Sequence, residues 1–200
     1  GETSNTSYYM FKVNSAYQFG GSSGSIKTVS AMLNVPINYY VEVNMKALES
    51  LVNALGGVDV NVPFSFSYDW CDFKKGKQHL DGRYAIAYAR MRYDDPRGDY
   101  GRQLRQRQII QAVVKKGLSV NGLSNYQKLL KVFAKYVKTN LTFGDMTSLA
   151  INYRSAASNI SSGYIQGHDA TISGTSLQIA STEELQKWSN KLRKSLGLSP

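Results

Sequence analysis

The chain has 200 residues, 42% of them hydrophobic and 12% aromatic, which suffices for one well-cored domain and excludes a disordered tail. Its formal charge of +10 and pI near 9.6 favour a polyanionic partner, whether nucleic acid, anionic lipid headgroups or an anionic glycan. Cys71 is the only cysteine, so there is no disulfide framework, and with His79 and His168 it is too sparse for a zinc centre.

No run approaches the eighteen or so apolar residues of a membrane span, and the start GETSNTS lacks a basic-then-apolar leader pattern. Ile26, Val29, Met32 and Leu33 recur at helical spacing behind a run of serines suited to capping. INYYVEVNM then reads as a strand. Asn44 is placed to cap a helix in which Met45, Leu48, Leu51, Val52 and Leu55 form one apolar stripe, and Gly56 and Gly57 stop it. VDVNVPF follows as a second strand. Strand, helix and strand in this order predict a βαβ unit, and hence an α/β layered fold, as one domain over residues 1–200.

FKKGKQHLDG is a turn-rich loop, after which Asp81 caps a short helix over RYAIAYA. The next 21 residues, from Tyr88 to Gln108, hold six of the nine arginines of the chain and none of its fifteen lysines. Arginine differs from lysine in its planar fork, which grips two oxygens of a phosphate or carboxylate at once. The bias fits recognition of an oxyanion, an ion-pair network with Asp94, Asp95 and Asp99, or a basic nucleic-acid patch. Arg90 and Arg92 leave the same face if their segment is extended. DDPRGD is a loop. A long helix then sets Arg102, Gln106, Ile109 and Val113 on one stripe with Arg105 alongside, which places Arg102 and Gln106 toward the protein, where a buried pair with Asp99 is one outcome.

Beyond it, YQKLLKVFAKYVKT and FGDMTSLAINYRSAAS read as helices and SGYIQGHDATISGTSLQIA as irregular or strand-like. STEELQKWSNKLRKSLG is a last helix, acidic at its start and basic at its end.

The block AIAYARMRYDDPRGDYGRQLRQRQIIQAV resembles the signature of the LytR-CpsA-Psr family of cell-wall glycopolymer ligases, with Arg90, Arg92, Asp99, Arg102 and Gln106 at the family's spacing. KVNSAYQFGG, INYYVEVNMKALESLVNALGGVDVNVPF and FKKGKQHLDGRYAIAYAR resemble further family blocks. The resemblance implies a three-layer α/β/α domain with a mixed central β-sheet, a phosphotransferase that moves an anionic glycan from a polyprenyl diphosphate carrier onto a peptidoglycan hydroxyl, with the lipid in an apolar tunnel and the diphosphate beside Mg2+. It also implies an extracytoplasmic protein on a membrane anchor, and no nucleic-acid partner. By carry-over, Arg90, Arg92 and Arg102 hold the phosphates, Gln106 orients a phosphate oxygen or a neighbouring arginine, and Asp99 fixes the cluster. Lys12, Asn14, Arg97 and Arg105 are expected around the substrate. Tyr39, Val41, Leu48, Leu51 and Leu55 are expected in the tunnel wall or the core behind it. The family's upstream segment, with its metal-associated aspartates and anchor, is expected to be missing from these residues. A non-catalytic module that binds lipid diphosphate or wall glycan is the alternative.

Overall fold

The computed structural model describes residues 12–93, 95–119, 123–153, 155 and 160–199. It resolves two compact units, one built from the segments up to Tyr40 and from Gly163 onward, the other from Val41 to Ser162.

In the first unit, α1 (Ser15–Leu33) is interrupted at Gly21, whose φ of 56° suits glycine, and it ends on Asn34 in the left-handed region. The strands β7 (Gly167–Ile172) and β8 (Thr175–Ala180) form an antiparallel hairpin across Ser173 and Gly174, both at positive φ. The helix α7 (Thr182–Ser195) starts at Ser181, whose hydroxyl accepts from the Glu184 N–H at 3.2 Å. Arg193 donates to the Asn34 carbonyl at 2.7 Å and ties α7 to the end of α1.

The second unit opens with β1 (Val41–Glu42) and α2 (Met45–Ala54). Asn44 caps α2 by accepting from the Ala47 N–H at 2.8 Å, and Gly56 and Gly57 end it at φ 70° and 88°. Next come β2 (Val58–Val62), β3 (Phe66–Tyr68), β4 (Cys71–Phe73) and β5 (Gly76–Leu80). The helices α3 (Gly82–Arg90) and α4 (Gly98–Leu118) follow, then α5 (Leu123–Tyr136), β6 (Lys138–Thr139) and α6 (Phe143–Asn152).

The chain is α/β, as expected. Among the described residues the strands pair two by two, β1 with β6, β2 with β5, β3 with β4 and β7 with β8, all antiparallel. The parallel βαβ unit is therefore corrected: β2 finds its partner in β5, and β1 finds its own in β6, far along the chain. Helix α2 packs instead on α3 and α5. Gly82 allows that approach to α3, because a methyl group there would strike the Glu49 carbonyl and the Asn53 side chain.

The core of this unit joins alternate residues of β2 (Val58, Val60, Val62) to Phe66, Cys71, Phe73 and Leu80 and to nearly all of α3 from Ala85 to Ala89. Phe66 stacks on Phe73 with centroids 4.6 Å apart, and Tyr88 lies 6.0 Å from Phe66. Into this core α4 sends Arg105, which is 0% exposed. Its Nε donates to the Tyr88 carbonyl at 3.0 Å, and its two terminal nitrogens donate to the Met91 carbonyl and to the Asp95 carboxylate. Its guanidinium lies 5.8 Å and 5.9 Å from the Phe66 and Tyr88 ring centroids.

Asp95 in turn accepts from the Arg97 N–H at 2.9 Å and from the Arg97 guanidinium at 3.1 and 3.2 Å. Burial alone would raise the Asp95 carboxyl, but the bonds from Arg97 and Arg105 outweigh it and hold the group below its ordinary value. Gly101 makes room for this carboxylate, since a methyl group there would run into it.

Removing one member of a buried ion pair costs about 3 to 5 kcal/mol. Asp95→Asn is expected to lose stability on that scale in urea titration, and Arg105→Lys most of the same amount, because one ammonium does not reach three divergent acceptors. The lowered carboxyl contributes fully above about pH 4 and fades as pH falls through its lowered value, so Asp95→Asn also flattens the acid limb of stability against pH. Tyr88 titrates on the opposite side. Burial pushes its phenol up to about 12, and its hydroxyl donates to Gln108 at 2.6 Å. The neutral phenol is the form that folds well, so its contribution is complete below about pH 10 and is lost as pH rises toward the raised value. Tyr88→Phe is expected to remove that alkaline slope from a series of urea midpoints.

Candidate functional site

Helix α3 ends on Arg90, and Met91 leaves it in an extended conformation with φ −51° and ψ 132°. Met91 is buried while Arg90 and Arg92 on either side are exposed, the alternation expected of an extended segment. The Arg92 guanidinium lies 5.9 Å from the Tyr93 ring centroid. The loop then turns at Asp95, whose side chain bonds two residues ahead, as an aspartate opening a turn does. Asp94 lies outside the described residues.

Gly98, at φ 54°, starts α4. Asp99 sits in its first turn, where a carboxylate suits the helix dipole. One Asp99 oxygen lies 2.5 Å from an Arg102 terminal nitrogen, and the other accepts from Gln103 at 3.0 Å. Both Asp99 oxygens are thus engaged, one of them on Arg102. The Arg102 Nε is buried and, among the described residues, has no hydrogen-bond partner. A buried donor of this kind is costly unless a ligand completes it.

Two expectations need correction. The buried pair is Asp95 with Arg105, whereas Asp99 and Arg102 form a half-exposed one. Arg105 is no outer contact to substrate, because its fork is taken up by three protein oxygens. The buried line of α4 runs through Gly101, Arg105 and Ile109, rotated by about 70° from the expected stripe. Arg102 and Gln106 therefore sit at the edge of the buried face, half-buried. Arg97 is held by Asp95 and is 42% exposed, so its free edge faces outward. The signal that distinguished Asp95 was local: it precedes Pro96 at a turn and faces the small Gly101.

Lys12 and Asn14 are exposed residues of the first unit, just before α1; Asn14 makes no side-chain capping bond.

Farther along α4 lies an apolar cavity of about 240 Å3. Leu51 of α2 and the Leu55 that follows it, Val113, Val114 and Gly117 of α4, Leu129 and Phe133 of α5, and Met146 and Leu149 of α6 line it, with Val41 of β1. Of the expected wall residues, Val41, Leu51 and Leu55 are in place, Leu48 belongs to the core, and Tyr39 belongs to the first unit. At about 100° per residue, Arg102, Gln106, Val113 and Gly117 span only about 60° of the α4 surface. A single strip of one helix thus carries polar donors at its start and the cavity wall about 16 Å further on.

A magnesium ion finds no ligand set here. Among the described residues no group of three or more His, Cys, Asp or Glu side chains is placed to hold a metal, and Asp95 and Asp99 are occupied by guanidinium groups. Among the same residues no helix is long and apolar enough to cross a membrane.

The chain is 46% identical over 185 residues to the polyisoprenyl-teichoic acid–peptidoglycan teichoic acid transferase TagU of Enterococcus faecalis, covering 92% of this chain and 61% of that protein. The crystal structure of Bacillus subtilis TagU superimposes with a TM-score of 0.77 at 38% identity, over 96% of this chain and 79% of that one. A structure of TagT bound to LIIa-WTA superimposes with a TM-score of 0.75 at 28% identity, over 94% and 72%. The chain spans about half to three fifths of the length of the curated relatives it matches. The model of the LytR_cpsA_psr family matches residues 4–194, and the chain belongs to the LytR-CpsA-Psr family.

Proposed function

We propose that this chain is the part of a cell-envelope transferase that grips a polyprenyl diphosphate-linked anionic glycan while the glycan phosphate passes to a peptidoglycan hydroxyl. The observation that carries the reading is the strip on α4, where Arg102 and Gln106 lead along one face into the apolar cavity. A ligand with a highly charged head and an apolar tail fits that sequence of surfaces, and the names of the relatives fit the same chemistry. Nucleic acid fits poorly, since a cavity lined wholly by carbon side chains has no role in gripping a phosphate backbone.

In such a transfer the acceptor oxygen forms a new bond to the glycan-side phosphorus as the bond to the lipid-side bridging oxygen breaks, releasing polyprenyl phosphate. Most of the protein's contribution is positioning and charge stabilisation. Arg102, oriented by Asp99, offers its buried Nε to a phosphate oxygen. Arg90 and Arg92, exposed either side of the anchored Met91, bring two more guanidinium groups from a backbone that Arg105 fixes. Arg97 presents its outer edge beside them. Gln106 supplies a neutral donor one turn beyond Arg102. Magnesium would share the diphosphate's charge, although the described residues bring no three His, Cys, Asp or Glu side chains together to hold it. The reaction is assigned to the outer side of the membrane, with the protein anchored there.

Arg102→Ala is expected to cost about 2 to 4 kcal/mol of transition-state stabilisation, on the order of 30- to 1000-fold in release of polyprenyl phosphate from a lipid diphosphate analogue. Arg102→Lys should recover little of it, while exposed Lys131→Ala on α5 should be nearly silent; equal losses in all three would reduce the arginine to bulk charge. Gly117→Leu tests the cavity. A Cβ at Gly117 meets only Leu129, at an ordinary 3.7 Å, so the larger side chain fits and fills the space. Thermal stability should hold or rise, by up to about 1 kcal/mol from helix propensity, while affinity for the lipid analogue drops. Unchanged lipid affinity in a folded Gly117→Leu protein would place the tail elsewhere.

A further inference from the structure

We infer that α6 and the cavity mouth beside it form a face that docks directly on the outer surface of a lipid bilayer, so that the polyprenyl chain enters the cavity without crossing water. The inference rests on the lipid-binding reading of the cavity.

Three residues that line the cavity, Val41, Val114 and Leu149, are themselves exposed, which marks where the cavity opens. Further exposed apolar side chains lie beside that mouth. Ile110 lies one turn before Val114 on α4 and is exposed. Helix α6 buries none of its residues, and Phe143, Leu149 and the following Tyr153, 63%, 37% and 56% exposed, fall within about 120° of one another around it, on the side that lines the cavity. Its single charged residue, Asp145, is used up in the capping box, accepting from the Thr142 N–H at 2.8 Å and from its hydroxyl at 2.7 Å. Leaving such a set in water forgoes a burial free energy that several apolar side chains would gain together.

Two constraints select the occupant. A protein partner or a second copy seated on this face would cover Val41, Val114 and Leu149 and close the mouth to the lipid. Size gives the other. A cavity of about 150 Å3 holds one benzene. The 240 Å3 here then takes about ten carbons, or about two isoprene units, by the same scale. The rest of a longer polyprenyl chain lies outside the cavity, where only a bilayer keeps it from water. Phe143 and Tyr153 at the two ends of α6 suit the interfacial zone, where aromatic rings collect.

The test is co-sedimentation of the 200-residue chain with neutral phosphatidylcholine vesicles at high salt, which silences adsorption through its net charge of +10. The paired change Phe143→Ser with Tyr153→Ser is expected to weaken vesicle binding by at least about tenfold, the scale of losing two apolar contacts. Trp70→Ser, on an exposed hairpin tip, is expected to leave it unchanged. A short-chain polyprenyl diphosphate, soluble without vesicles, is expected to bind the paired variant as it binds the parent. Vesicle binding that survives the paired change, or that falls equally with Trp70→Ser, overturns the docking face. So does a parent that ignores vesicles but forms a dimer which the paired change dissolves. Failure of the short-chain diphosphate to bind the parent, with vesicle binding still lost in the paired variant, supports the face and overturns the reading of the cavity instead.

Discussion

The buried contact between Asp95 and Arg105 is the constraint on which the candidate site depends. A guanidinium at 0% exposure is tolerable only if its hydrogen bonds are made inside, and here they are made to three different parts of the chain. The end of α3, the segment after it and the turn at Asp95 are thereby fastened to one side chain of α4. Arg90, Arg92 and Arg97 all sit on backbone held in that way. Their preorganisation is a consequence of a fourth arginine that faces away from any ligand. Because an ion pair of this kind is weak evidence for net stability, its value lies in fixing one arrangement of the loop against others.

Much of the fold could be read from local sequence because local chemistry decides helix ends. Asn44, Asp81, Thr142 and Ser181 cap the helices they precede, and Gly56 and Gly57 end α2. Strand pairing was not legible in the same way. VDVNV alternates cleanly, but alternation says which face is buried and nothing about the partner, so an antiparallel ladder with GKQHL stood where a parallel one was expected. The signature block was similarly half legible. Its arginine bias identified the place, and periodicity identified the helix, yet a 70° error in the buried line exchanged the roles of Arg102 and Arg105. Arginine, with a long apolar stem, satisfies both a core and a cleft position in pattern alone. What separates the two is the carboxylate opposite, and Asp95 lies in a loop whose course no periodicity reveals.

Helix α4 divides its surface among three tasks. Gly101, Arg105 and Ile109 face the core, the strip of Arg102, Gln106, Val113 and Gly117 runs from polar donors to the apolar cavity, and Gln108, Gln111 and Lys115 face a polar groove with Asn61. Such a helix has little overall amphipathicity, which is why its periodicity was a poor guide. It also leaves the buried Nε of Arg102 unsatisfied among the described residues and borders an open apolar groove at Gly117. A helix selected for packing alone would lose both. Their coexistence on one strip is easier to explain by a single ligand that spans them than by two independent defects.

The exclusion of lysine from residues 88–108 now has a physical account that differs from simple oxyanion recognition. Arg105 needs three divergent donors and a flat face that lies near Phe66 and Tyr88; Arg97 needs two donors in one plane to meet the two oxygens of Asp95. Arg102 needs one terminal nitrogen for Asp99 while Nε stays directed elsewhere, a split that an ammonium cannot make. Even Arg92 is placed near an aromatic ring. At least two of the six arginines therefore serve the protein's own carboxylates first, and the demand for a fork comes as much from building the loop as from holding a phosphate. Lysine is found instead at outer positions such as Lys131 of α5, where a point charge on a flexible stem is enough.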